Sequence, residues 1–223
     1  MTVKKIAQPS NRTKADKLAE ITRYFENKFP NPKTELEFES PFQLLVSTLL
    51  AAQCTDKRVN VVTSELYRVA PTPQKMLKLS LDELENYIRS VNYYKTKAKH
   101  ILETCERLVN DFGGEVPDNL DDLQTLPGVG RKTASVVLVC AFEKPAFPVD
   151  THVFRVSNRL GLVKGKDVKE TETKICHLLD PADWYRFHHY FILHGRYTCK
   201  AQSPDCDSCG LKSVCSYFQT KKS

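Results

Sequence analysis

With 223 residues, 41% of them hydrophobic, the chain can hold one large domain or two small ones and has ample apolar content for a core. Its best apolar run, Ala134 to Phe142, is far too short to span a membrane and reads as a core helix. The net charge of +6 favours an acidic partner without naming one.

The charge is uneven. Residues 1–33 carry eight Lys and Arg, including Lys4, Lys5, Arg12, Lys14 and Lys17, against Asp16, Glu20 and Glu26. A solvated helix face would explain this as well as a nucleic-acid contact. Leu18, Ile21, Phe25 and Phe29 give that segment a helical stripe. Ser40-Pro41 marks the start of a second helix, and Asp56 is expected to cap a third that begins near Lys57. Val59, Val62, Leu66 and Val69 form the third helix's stripe. Ser80-x-x-Glu83 is a capping box, and the clearest stripe runs from Ala98 through Cys105 to Phe112, closed by Gly113-Gly114. A short helix at Leu120–Leu126, capped by Asn119 or Asp118, precedes Pro127-Gly128-Val129-Gly130 and the helix Arg131–Phe142. A further helix, Trp184 to Arg196, feeds into Cys199, its aromatic residues serving as helix–helix core. No segment alternates as a strand does, so the expected fold is all-α.

Two glycines one residue apart permit a tight turn and leave the first amides of the next helix bare at the positive end of its dipole. A P-loop is excluded, because Arg131 precedes Lys132 and no strand leads in. A plain helix–helix turn and a DNA-backbone-binding hairpin using Gly128, Gly130 and Arg131 both remain. Lys132 sits in a first turn, where a cation is electrostatically misplaced, which favours the neutral, nucleophilic amine; an ordinary solvated lysine is the bland alternative. Asp150, just before a helical run from Thr151, is an N-cap or a proton acceptor beside that amine.

Cys199, Cys206, Cys209 and Cys215 fall in a short stretch with Pro204, Gly210 and little apolar periodicity. Such a stretch needs something other than a core to hold it, and four thiolates suit a metal or an iron–sulfur cluster. Disulfides are disfavoured, because Cys54, Cys105, Cys140 and Cys176 are scattered through apolar helical patterns and residues 1–5 begin no apolar export segment.

The motifs Leu126-Pro127-Gly128-Val129-Gly130-Arg131-Lys132-Thr133-Ala134, Val149-Asp150-Thr151-His152-Val153-Phe154-Arg155 and His194-Gly195-Arg196-Tyr197-Thr198-Cys199, followed by the cysteine loop, closely resemble the endonuclease III family. These are bifunctional DNA glycosylases of the helix-hairpin-helix superfamily, and the resemblance runs from about Pro41 to Cys215. It implies two helical domains flanking a DNA-binding groove: a six-helix barrel domain at 34–144 with the hairpin, and a discontinuous iron–sulfur cluster domain at 1–33 and 145–223. It implies removal of oxidised pyrimidines from damaged double-stranded DNA, with Lys132 as Schiff-base nucleophile, Asp150 as its acid–base partner and nicking by β-elimination. A [4Fe-4S] cluster would be held by Cys199, Cys206, Cys209 and Cys215.

By the same resemblance Gln53, in Ala51-Ala52-Gln53-Cys54-Thr55-Asp56, would fill the gap left by a flipped base. Two segments depart from the family. Relatives carry Gly followed by Leu or Phe before a Tyr where this chain has Asn92-Tyr93-Tyr94, making Tyr93 the wedge. The cysteine loop offers one Lys200 and one Asp205 where relatives carry several basic residues, so only a weak phosphate contact is expected from Lys200. His152, close to Asp150, either lines the site or is a packed helical residue, and the second is favoured. A damage sensor without turnover, a monofunctional mismatch glycosylase and a zinc module are the alternatives. Retained Lys132 and Asp150 oppose the first, Lys132 opposes the second, and visible colour separates a cluster from zinc. A monomer in the cytoplasm, associated with the nucleoid through DNA and with no membrane partner, is expected.

Overall fold

The computed structural model describes residues 13–220, all helix, turn and loop with no strand among them. Of the basic N-terminal residues, Lys4, Lys5 and Arg12 lie outside the described residues, as does the opening segment Met1–Lys5. In chain order the helices are α1 (Lys14–Lys28), α2 (Pro41–Ala51), α3 (Asp56–Val69), α4 (Pro73–Met76), α5 (Leu81–Ile88), α6 (Tyr94–Asp111), α7 (Leu120–Thr125), α8 (Arg131–Ala141), α9 (Thr151–Leu160), α10 (Val168–Leu178), α11 (Trp184–Tyr197) and α12 (Ser216–Thr220). The all-α expectation holds. Among the described residues no helix is long and apolar enough to cross a membrane.

The chain groups into two compact units. The larger comprises Lys33–Asp150 and Leu179–His188; the smaller comprises the described residues up to Pro32, Thr151–Leu178 and the described residues from His189. In the larger unit α2 is the hub. All nine residues from Phe42 to Leu50 are buried, and α3, α6 and α8 pack around them. The buried polar groups on this hub are satisfied. Gln43 Oε1 accepts from the Glu39 amide at 2.8 Å, and the Ser47 hydroxyl meets Tyr67 Oη at 2.7 Å.

Several helix boundaries follow the residues that signal them. Ser40 accepts from the Gln43 amide with Pro41 at the first helical position, and Ser80 and Glu83 make both halves of a capping box. Gly113 and Gly114 take φ of 63° and 87°, and the Gly114 amide closes α6 by donating to Leu108 O at 2.7 Å. Asn119, not Asp118, caps α7. Two expectations are corrected. Thr55 rather than Asp56 caps α3, its hydroxyl accepting from the Arg58 amide, so Asp56 is the first helical residue. Val69 is 49% exposed, so the α3 stripe buries only Val59, Val62 and Leu66.

The smaller unit has an aromatic core. Phe25 on α1 stacks on Tyr190 at 5.2 Å between ring centroids and meets Phe191 and His194 edge-on. Burial, together with the nearby Lys28 charge, lowers the His194 pKa to about 4, so this histidine is a neutral core residue at ordinary pH.

Candidate active site

The hairpin between α7 and α8 belongs to the larger unit, and α6 pins it. Thr104 Oγ1 donates to Pro127 O at 3.1 Å, and Arg107 Nη1 donates to Thr125 O at 3.1 Å. Val129, at the tip, is 5% exposed and anchors the turn to the core. The two glycines do different jobs. Gly128 has φ of 75°, and a Cβ there would come within 2.7 Å of His100 Nδ1 and 3.3 Å of Leu49 Cδ2, so the position requires glycine. Gly130 has φ of −82° and nothing near its missing Cβ. The fold would accept a side chain at 130; its absence leaves the start of α8 open.

No side chain caps α8, and its first turn holds no acidic residue. Arg131 and Lys132 occupy that turn and are exposed. Lys132 is electrically close to Cys140 on the same helix: burial raises the Cys140 thiol to about 12, and the Lys132 charge opposes that rise. Asp150 is half-buried in the same unit, immediately before α9. Its approach is fixed from behind, because Phe147, Pro148 and Val149 are buried and His188 Nδ1 lies 2.9 Å from Pro148 O.

Gln53 and Tyr93 also lie in the larger unit. Both are exposed, and both adopt left-handed backbone conformations, with φ of 56° and 57°. Tyr93 sits at the start of α6 with no side-chain cap and 66% of its surface free. Trp184 and Tyr185 depart from their expected core role. They line a cleft of about 520 Å³ with Cys140, Glu143 and Lys144, while Phe187, Tyr190 and Phe191 are buried as expected.

The cysteine loop belongs to the smaller unit. Cys199, Cys206, Cys209 and Cys215 line one pocket together with Leu160, His194 and Tyr217. Burial pushes the Cys209 and Cys215 thiols up, opposed by the Leu211 amide at Cys209 and by the Phe218 and Tyr217 amides at Cys215. Those amides are placed to hydrogen-bond thiolates. Among the described residues no three His, Cys, Asp or Glu side chains gather closely enough to hold a single metal ion. Lys200 is exposed at the loop's edge, and the Asp205 carboxylate is engaged with the Ser208 amide and hydroxyl.

Two arginines one turn apart on α9 grip this loop, and the sequence reading gave neither a role. Arg155 Nε donates to Cys199 O at 2.9 Å and its Nη2 donates to Gly195 O at 2.9 Å. Arg159 donates from Nη1 to Lys200 O at 2.6 Å and from Nη2 to Ala201 O at 3.0 Å, and its Nη1 lies 3.6 Å from Cys199 Sγ. The guanidinium stacks on Tyr217, 4.5 Å from the ring centroid. Their i,i+4 spacing on one helix face was the available signal. His152 Nδ1 lies 3.0 Å from Arg155 Nη2, a packed helical role as expected.

Residues 46–181 match the HhH-GPD superfamily of base excision DNA repair proteins. Endonuclease III of Escherichia coli strain K12 is 47% identical over 204 residues, covering 92% of this chain and 96% of that protein. The Haemophilus influenzae endonuclease III is 46% identical over 207 residues, covering 93% and 97%. The chain belongs to the endonuclease III family. Its fold matches the solved structure of a trapped endonuclease III–DNA covalent intermediate with a TM-score of 0.88 at 42% identity, over 95% of this chain and 100% of that one. A non-covalent endonuclease III–DNA complex gives the same TM-score over 99% of its chain. A thermostable thymine-DNA glycosylase, 23% identical with a TM-score of 0.81, shares the fold.

Proposed function

We propose that the protein excises oxidised pyrimidines from duplex DNA and then nicks the resulting abasic site. The observation that carries this reading is the uncapped, exposed start of α8 with Lys132 in it, on a scaffold like that of an endonuclease III caught covalently on DNA. The hairpin amides and Arg131 receive a backbone phosphate, which fixes register without reading sequence. The damaged nucleotide leaves the stack, Gln53 fills the gap and Tyr93 stacks beside it. Asp150 takes a proton from the Lys132 ammonium. The freed amine attacks C1′ and the C1′–N bond to the base breaks with its electron pair leaving on the base; the C1′–O4′ bond then opens, O4′ takes the proton shed by the lysine nitrogen, and a lysine–sugar iminium remains. Loss of a C2′ proton then expels the 3′ phosphate by β-elimination. Asp150 also faces the cationic sugar as it develops.

The residues in the cysteine pocket fit a [4Fe-4S] cluster. Four soft sulfurs line it and backbone amides point at two of them. When bound, the cluster supplies closure of the loop and takes no part in bond breaking. The proposed domains are 34–144 for the hairpin and 1–33 with 145–223 for the cluster. The protein acts as a monomer with DNA in the cytoplasm, with Lys200 adding a weak phosphate contact.

Borohydride trapping on a duplex containing one thymine glycol tests the chemistry. Wild type gives a covalent adduct, Lys132→Ala gives none, and Asp150→Asn gives an adduct far more slowly. DNA binding without adduct or base release in the wild type would replace this reading with a damage sensor. Base release without an adduct would make the enzyme monofunctional.

A further inference from the structure

Gln53 and Tyr93 come from different parts of the chain, yet the structure fastens the two turns that carry them. Each is a residue with a Cβ held in the left-handed region, which is sparsely populated unless the surroundings enforce it. Three side chains do the enforcing. Lys97 on α6, 8% exposed, donates from Nζ to Leu50 O at 2.8 Å and to Ala52 O at 2.6 Å, satisfying carbonyls that the end of α2 leaves open. Arg58 on α3 donates to Ser90 O at 3.2 Å, tying the segment after Gln53 to the segment before Tyr93. Asn92 donates from Nδ2 to Gln53 O at 2.7 Å, bridging 39 residues of chain.

We propose that Asn92 is a positioning residue that couples the Gln53 turn to the Tyr93 turn, so that both exposed side chains enter a duplex as one element. This rests on the functional reading above and extends it to how the lesion gap is held open. Lys97 and Arg58 fix the flanks of the two turns. Among the described residues, Asn92, the immediate neighbour of Tyr93, is the one whose side chain bonds the Gln53 peptide itself. A glycine, which the family resemblance leads one to expect at 92, has no side-chain donor for the Gln53 carbonyl. The coupling is therefore a property of this chain's own residue. Asn92 is exposed and its φ is not positive, so removing its side chain adds no backbone strain and no cavity.

The experiment uses the full chain and a duplex carrying 2-aminopurine opposite a tetrahydrofuran abasic analogue. This probe brightens when its base is unstacked and contains no base to excise. The stopped-flow rise is measured for wild type, Asn92→Ala, Gln53→Ala and the double variant. Asn92→Ala slows the rise about fivefold, the order expected for one lost hydrogen bond. Because Asn92 acts through Gln53, the double variant is no slower than Gln53→Ala. Asn92→Gly matches Asn92→Ala, and thermal melting of both stays with wild type. Three results overturn the proposal: an unchanged rate in Asn92→Ala, single effects that multiply in the double variant, or no rise in the wild type. A coupled rise from a protein that yields neither a borohydride adduct nor base release would remove the glycosylase reading and leave the coupling standing.

Discussion

The larger unit and the cysteine loop of the smaller one are held by opposite means. The first is organised by burial. α2 is apolar nearly all round, and every side chain from Phe42 to Leu50 is covered. The second buries little beyond Leu211 and Val214, and is instead clasped by Arg155 and Arg159 through backbone carbonyls and docked on α1 by polar contacts. Lys28 Nζ donates to Thr198 Oγ1 at 2.9 Å, and Ser213 Oγ donates to Glu20 Oε1 at 2.6 Å. Apolar burial tolerates no ligand and needs none. A polar clasp around four thiols shapes a chain segment but leaves its stability to whatever the thiols bind.

The sharpest way to break this contrast is to remove one thiol. Cys209→Ala abolishes visible absorption and exposes residues 199–215 to protease, while a fragment covering 33–150 stays resistant. Simultaneous cleavage of both regions would show that the two depend on one support. Next in size, Leu45→Ala destabilises the larger unit by about 2–5 kcal/mol, read from chemical denaturation. At temperatures below its melting point the absorption per molecule is unchanged. Arg159→Lys keeps the charge but loses the forked donation, so a chelator bleaches the protein about tenfold faster than wild type. Equal bleaching rates would mean the clasp is decorative. The smallest effect is at the α5 cap. Ser80→Ala lowers the melting temperature by roughly 2–4 °C near neutral pH. Hydrogen bonds from Ser80 hold the Glu83 carboxyl below its ordinary value, so that part of the contribution is present above the unfolded pKa and lost as pH falls through the folded one. The difference between wild type and Ser80→Ala therefore narrows in acid.

The parts of the fold that sequence revealed are those set by local chemistry. Ser40-Pro41, the Ser80–Glu83 box and Gly113-Gly114 each act within a few residues, and the structure places them as read. The hairpin was legible for the same reason, although only Gly128 is demanded by the backbone. What escaped the sequence was long-range. Arg159 holds carbonyls 41 and 42 residues away, and Asn92 reaches Gln53 across 39. The separation between donor and acceptor carries no signal in such cases, and only the shared helix face of Arg155 and Arg159 hinted at a common role. Thr55 displaced Asp56 at the α3 cap because either short polar side chain suits that position, and one residue of register separates them. Trp184 and Tyr185 were misread because aromatic periodicity cannot tell a packed face from a cleft wall.

The complete burial of α2 also has a consequence during synthesis. Leu50 leaves the ribosome about 90 residues before the end of α8, whose packing covers it. At about 5–20 residues per second, that interval is roughly 5–18 s. For those seconds the apolar side chains of this nascent helix face water without their late partner. The segment 42–50 is where a holding chaperone would be recruited to the growing chain.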